Sequence, residues 1–356
     1  MLDGMILADG VVHGYNWTPE NWAVPEAALG AAAGAGFHGF LTPDDASRLR
    51  PDDFLRDWTA DDLEEILFAE SALDLVAYHG TPIWDFFKDG HSDTEKGFEL
   101  KKRNPNRVLV YGAANPFEGD KALRDLEELA DRGVDAIKVY AARYHEGRTY
   151  EQRLDDPEFG YPFIQKALDL GIKVIATHKA MPFGPVRSAP YGVQDLPEAC
   201  SIFPNMTFEV VHTGFAFVED TAFLAGLPNC WFNLEASASL IYPAPRRFAE
   251  FLGLFLQSGA GDRIIFASGC ALVHPRPLIE KLLEFEMPRD LVEGFGYPEL
   301  TPELKRGILG ENYLRMHGID ADAFRASIAD DEWSRLQEAG LDEPWSHYRG
   351  RAHANA

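Results

Sequence analysis

Residues 172–178 read IKVIATH, residues 207–212 read TFEVVH and residues 230–235 read CWFNLE. Each is a short β-branched, apolar run that closes on a side chain able to ionise or bind a metal: His178, His212 and Glu235. A continuous apolar run of this length suits a strand buried on both faces, as in a parallel sheet. Before the first run, Phe163, Ile164, Ala167 and Leu168 recur at helical spacing up to Gly171. After the last, Phe248, Phe251, Leu252 and Phe255 do the same. Strand and helix alternate, which predicts parallel strands joined by helical crossovers.

Five further runs extend the pattern. They are MILADGVVH ending at His13, DLVAYH ending at His79, RVLVYGAAN ending at Asn115, DAIKVYAARY carrying Lys138, and RIIFASGC ending at Cys270. A helix is predicted over Asp120–Arg132, with Leu123, Leu126, Leu129 and Ala130 on one face and Gly133 as its cap. Another is predicted over Pro277–Glu286. Eight strand–helix units predict an α/β fold, a (β/α)8 TIM barrel, with an open doubly wound sheet as the rival. Residues 14–73 form a long insertion between the first two strands, helical near Asp61–Ser71 and expected to cover part of the barrel mouth. Residues 143–160 are polar and are expected to form an active-site loop. The barrel is assigned to residues 1–319, and a C-terminal helical extension to 320–356, ending in RGRAHANA as a disordered tail.

The chain has 356 residues, and its 57 acids against 33 bases give a net charge of -24. That balance disfavours nucleic acid and anionic membranes, which call for clustered Lys and Arg. The expected partner is a small-molecule substrate, with a homo-oligomer as the assembly. The three cysteines, Cys200, Cys230 and Cys270, include no CxxC pair; with no signal peptide in MLDGMILADG, a cytoplasmic location is expected. No apolar run is long enough for a membrane span. There is no GxGxxG after a strand, no P-loop and no GxSxG elbow. The small-residue stretch Gly30–Gly36 (GAAAGAG) reads as close helix packing rather than phosphate binding.

Barrel enzymes draw their chemistry from strand C-termini. Four of the 11 histidines, His13, His79, His178 and His212, close different predicted strands, and Glu235 closes another. Imidazoles and a carboxylate at one mouth suit zinc, iron or manganese, or acid–base work near neutral pH. The bland alternatives stand beside this. The Gly-Thr-Pro turn after His79 explains a hydrogen-bonded histidine there. Lys138 is either carbamylated to bridge metals or a cation that orients a substrate carboxylate. Cys270 is a small buried residue or a thiolate. His274 either caps the last helix or reaches the site. Arg143 and Arg187 either grip an anionic substrate or are surface charges.

From about Leu7 to Ile319 the residues resemble the amidohydrolase-related family, which includes aminocarboxymuconate semialdehyde decarboxylase and γ-resorcylate decarboxylase. The resemblance rests on Asp9 with His13, GIKVIATHK with His178, FEVVHTG with His212, and the closing ILGENYLRMHGI. It implies a metal-dependent hydrolase or a non-oxidative decarboxylase. The family's first strand reads Asp-x-His-x-His, but here Val11 stands at the first ligand. The family's eighth strand supplies an aspartate, but here Gly269 stands in its place. The expectation is therefore one divalent ion, zinc before iron or manganese, in a rearranged site. His13, His178 and His274 are the metal candidates; His212, Glu235 and Lys138 are catalytic candidates; Arg143, Arg187 and His79 are substrate-binding candidates. A metal-free enzyme using His178 and His212 as acid and base, and a barrel without catalysis serving as a binding protein, are the other readings.

Overall fold

A computed structural model describes residues 4–42, 47–182 and 184–349. The seven residues 350–356, which hold most of the expected tail, lie outside them. The parallel strands are β1 (Ala8–Val12), β2 (Leu75–His79), β3 (Val108–Ala113) and β4 (Ala136–Tyr140). A two-stranded hairpin follows, β5 (Ala142–His145) and β6 (Arg148–Glu151). Then come β7 (Val174–His178), β8 (Thr207–Val211), β9 (Cys230–Asn233) and β10 (Ile264–Ile265). The sheet order is β1-β2-β3-β4-β7-β8-β9-β10, and all of its pairings are parallel. Gly10 donates to the Phe266 carbonyl at 2.9 Å, Gly269 donates to that of Val11 at 3.1 Å, and Val12 bridges Cys270. The last strand thus returns to the first, and the sheet closes as the barrel that the eight runs predict.

Two strand readings shift. The run DAIKVYAARY is broken between Tyr140 and Ala142, and its second half pairs antiparallel with Arg148–Glu151. The polar stretch after residue 143 is therefore partly a hairpin. The eighth strand shortens to Ile264–Ile265 because the Phe266 amide leaves the ladder and donates to the Ile308 carbonyl at 2.9 Å. The Pro245–Gln257 helix buries Phe248, Phe251, Leu252 and Phe255, as their spacing requires. The Asp120–Asp131 and Gly160–Asp169 helices likewise turn Leu126, Phe163 and Ile164 inward.

The barrel floor is sealed from below. Tyr313 and Leu314 of the Asn312–Met316 helix, and Phe324 and Ile328 of the Ala321–Ile328 helix, join the apolar cluster that contains Ala8, Tyr111 and Val174. The 14–73 insertion holds the Ala27–Leu41 helix, whose Gly34 is pressed against the Trp17 ring; a Cβ there would overlap the indole. The end of the described chain returns to this insertion. Buried Glu70 accepts from the Trp345 amide at 2.7 Å and the His347 amide at 2.8 Å, and His274 Nε2 lies 3.0 Å from it. The Trp345 indole donates to the Ser47 carbonyl at 2.8 Å. Among the described residues no helix is long and apolar enough to cross a membrane.

Candidate active site

A cavity of about 690 Å3, counting its open mouth, lies at the C-terminal ends of the strands and is lined by His13, His178, His212 and Glu235. All four are almost wholly buried. His13 follows β1 directly, and Glu235 stands two residues beyond the end of β9. His178 ends β7. His212 follows β8 in a left-handed conformation, φ 67°, which re-aims its ring. Such a backbone costs about 1–3 kcal/mol in a non-glycine residue, the kind of strain that collects at functional sites.

Each imidazole has one nitrogen turned to a backbone carbonyl. His13 Nδ1 is 2.8 Å from the His79 oxygen, His178 Nε2 is 2.5 Å from the Met181 oxygen, and His212 Nδ1 is 3.3 Å from the Glu235 oxygen. A carbonyl can only accept, so in the neutral ring that nitrogen carries the hydrogen. The other nitrogens, His13 Nε2, His178 Nδ1 and His212 Nε2, then present lone pairs. His178 Nδ1 and His212 Nε2 face each other at 3.1 Å. Two opposed lone pairs repel unless a positive charge comes between them. A proton is disfavoured: burial, then the neighbouring His212, holds His178 well below the ordinary histidine range, and burial lowers His212 to about 4.

Glu235 completes the group. Its Oε1 lies 3.3 Å from His13 Nε2 and its Oε2 lies 3.6 Å from His212 Nε2. Burial alone would raise its pKa, but His212 and His13, which take any proton the group holds, together with Lys138 outweigh that and hold it well below the usual carboxylate range. Oε2 has no hydrogen-bond partner among the described residues. Three lone pairs and an ionised carboxylate with an unpartnered oxygen form a donor set suited to a divalent cation, with each histidine oriented from behind by a carbonyl. The donors stand as a chain of neighbouring pairs. Among the described residues no three are gathered round one point as a finished cage.

Stacked tyrosines fix two of the rings. Tyr15 lies on His13 with centroids 4.6 Å apart, and Tyr140 lies on His178 at 4.2 Å. Asp9 takes no part in the donor set. Its carboxylate accepts from the Ser268 amide at 2.9 Å and the Val11 amide at 3.2 Å, tying the first strand to the last, and burial raises it to about 7.

Five candidates lie elsewhere. His274 is outside the cavity: its Nδ1 accepts from the Arg276 amide at 3.3 Å as a helix cap, and its Nε2 faces Glu70. Arg143 pairs with Asp85 at 2.7 Å, because the hairpin carries it sideways. Arg187 is exposed and bonded to Thr149. His79 turns into the barrel and stacks on Tyr111 at 4.0 Å, contributing only its carbonyl to His13. Lys138 is fully buried within the barrel below the cavity, and its ammonium has no hydrogen-bond partner among the described residues. The insertion covers part of the mouth, as the sequence reading expects, but that reading does not name the individual wall residues. Tyr15, Trp17, Ala33 and Phe37 come from the insertion and Met181 from the loop after β7. The aromatic pair in GYNW, directly after His13, was the available signal.

The Amidohydrolase family model matches residues 83–319. The chain belongs to the amidohydrolase family. No curated protein sequence matches it. Among solved structures, an uncharacterised TIM-barrel protein from Bordetella bronchiseptica superposes with a TM-score of 0.63 at 14% identity, covering 88% of this chain and 100% of that one. A 5-carboxyvanillate decarboxylase from Novosphingobium aromaticivorans, complexed with manganese and 4-hydroxy-3-methoxy-5-nitrobenzoic acid, gives 0.57 at 11% identity, covering 89% and 97%. A zinc-bound amidohydrolase from Burkholderia multivorans gives 0.54 at 13% identity, covering 88% and 100%. At these identities the likeness is one of fold. Val11 and Gly269, where the resemblance read from the sequence implies metal ligands, have no side chain that can bind one.

Proposed function

We propose that this amidohydrolase is a metal-dependent hydrolase of a small organic substrate, with His13 Nε2, His178 Nδ1, His212 Nε2 and Glu235 holding one divalent ion. Zinc is the first choice by ligand type, and manganese or iron the alternatives. The observation that carries this reading is the 3.1 Å approach of two imidazole nitrogens that both present lone pairs, beside an ionised carboxylate. A bound ion supplies Lewis acidity, polarising an acyl oxygen and acidifying water.

The chain's own groups do the rest. The neutral histidines keep their inward lone pairs because carbonyls hold their other nitrogens. Glu235 Oε2 is the free acceptor at the cavity, and it takes the proton as the water oxygen bonds to the acyl carbon. The bond from that carbon to the leaving oxygen or nitrogen breaks, and the leaving group receives the proton. His212 serves the ion through Nε2, and its Nδ1–H is held by a carbonyl, so it is assigned to binding rather than to proton transfer. What orients its ring is the Glu235 backbone carbonyl. Decarboxylation in the same site is the second reading, supported by the decarboxylases among the structural neighbours.

Metal analysis of protein made without a histidine tag tests the reading. Close to one divalent ion per chain is expected, lost in His178→Ala and His212→Asn with the fold retained. Protein that stays ion-free after growth with added zinc, manganese and iron rules it out.

A further inference from the structure

The middle of the barrel, below the cavity, is built unlike an ordinary barrel core. Such interiors are normally filled by branched apolar side chains. Here Lys138 on β4 pairs with Ala176 on β7, and Ala176 pairs with Glu209 on β8. An ammonium and a carboxyl therefore stand inside the barrel with one short side chain on the strand between them, and both are fully buried. Glu209 Oε1 accepts from Asn233 Nδ2 at 2.5 Å, and Asn233 Oδ1 accepts from the Glu235 amide at 2.9 Å. Beneath them the Tyr111 hydroxyl is engaged by His317 Nε2 at 2.7 Å and by the Tyr313 hydroxyl at 3.0 Å, which closes the layer from below.

The polar atoms that face one another in this layer are not satisfied by protein. Lys138 Nζ, Glu209 Oε2 and, just above, Glu235 Oε2 all lack a hydrogen-bond partner among the described residues. Lys138 and Glu209 do not pair directly, yet the ammonium is close enough to Glu235 and Glu209 to feel both charges. A buried charge left bare is costly, and native interiors meet such groups with ordered water that bridges two to four polar atoms. Ala176, with its single methyl group, is the short member of the layer that leaves room for it.

We propose that ordered water in this layer joins Lys138, Glu209 and Glu235, and that Glu209 is a proton reserve for the site above it. The inference rests on the reading of Glu235 as the group that handles the proton, and it holds for hydrolysis and decarboxylation alike. The Glu209 carboxyl gives its proton to the bridging water, which passes one of its own to Glu235 Oε2. Glu209 is left as a carboxylate and Glu235 as a carboxylic acid, and the Lys138 ammonium faces one anion before and after. Burial, which raises Glu209 to about 7, keeps the proton on it in the resting protein. Either reaction must deliver a proton while the substrate fills the mouth, and this supply comes from below.

Two measurements test it, each on as-purified and on chelator-treated protein. A crystal structure that resolves water is expected to show it within hydrogen-bond distance of Lys138 Nζ and Glu209 Oε2. Infrared spectra near pH 6 are expected to hold a carboxylic-acid band that Glu209→Gln removes and that shifts promptly in heavy water. Ala176→Val, which fills the place of the water, and Lys138→Met are each expected to slow that shift at least about tenfold. A dry layer, a direct Lys138–Glu209 ion pair, or the absence of a Glu209 acid band overturns the proposal. So does an unchanged exchange rate in the folded variants; where a variant does not fold, the water positions in the wild type decide. Protein that holds no ion but shows the water and the exchange supports the reserve and removes only the metal reading.

Discussion

The carboxylate of Glu235 lies against the face of Gly269 from which a side chain would project: a Cβ built there would stand 3.1 Å from Glu235 Oε1. By the resemblance read from the sequence, Gly269 stands in the place of an eighth-strand aspartate. The acid lost from one strand is thus met by an acid from its neighbour, reaching into the same space. Gly269→Asp alone should crowd Glu235 and strain a residue at φ 72°, lowering stability by about 1–3 kcal/mol and weakening metal retention. Glu235→Gly alone should release the ion. The double variant should recover part of the metal content of the wild type. If it holds no more metal than Glu235→Gly, the two carboxylate positions are not equivalent.

Glu209 sits deep in the barrel, where burial raises it to about 7 despite the opposing pull of its Asn233 hydrogen bond and of Lys138. Its folded pKa exceeds the unfolded value, so the folded state binds the extra proton. Its contribution to stability is present at low pH and falls as pH rises between roughly 4.5 and 7. Glu209→Gln keeps a neutral acceptor for Asn233. It should match wild type near pH 5 and be more stable, by about 2–3 kcal/mol, near pH 8. Urea unfolding at the two pH values measures this. A variant less stable than wild type at pH 8 would show that Glu209 is ionised and paired with Lys138.

Gly34→Ala should drive a methyl group into the Trp17 indole. The ring has little room to move among Phe54, Phe87 and His91. A loss of about 1–3 kcal/mol is expected, with a shift in tryptophan emission. An unchanged melting temperature would mean the helix–indole contact is looser than described.

Buried Glu70 accepts hydrogen bonds from the buried Trp345 amide and from the half-buried Ser346 and His347, and faces buried His274. Glu70→Ala should cost about 3–5 kcal/mol, since it strands the buried Trp345 amide and the buried His274 imidazole. Metal content at low temperature should be normal, because none of these groups touches the donor set. Loss of the ion in a folded Glu70→Ala protein would place His274 nearer the chemistry than its contacts indicate.

The barrel was legible in the sequence because a parallel strand buried on both faces must be a continuous apolar run, and seven of the eight runs became ladders of four to six residues. The β5–β6 hairpin was not legible. It is largely exposed, so it leaves no alternation of buried and open positions to read. His13, His178, His212 and Glu235 stood out by ending strands, and the fold brings them together. The same rule failed for His79, whose ring points down onto Tyr111. Sequence position gives the strand end but not the direction of the side chain. Arg143, Arg187 and His274 lie in segments after strands, where the path of the loop decides and no period reports it. The walls at Trp17 and Ala33 arise from long-range packing of the insertion, which local pattern does not encode.

The clasp between Glu70 and Trp345 joins positions 275 residues apart. It secures the insertion that supplies Trp17 and the helix behind it. During synthesis the eight strands can emerge and begin to pair while this clasp still has no second half. The substrate wall is therefore among the last parts to set, after nearly the whole described chain has left the ribosome. Until then the histidines sit at the top of a barrel whose wall at Trp17 is still unclasped, so the cavity is completed later than its donor groups.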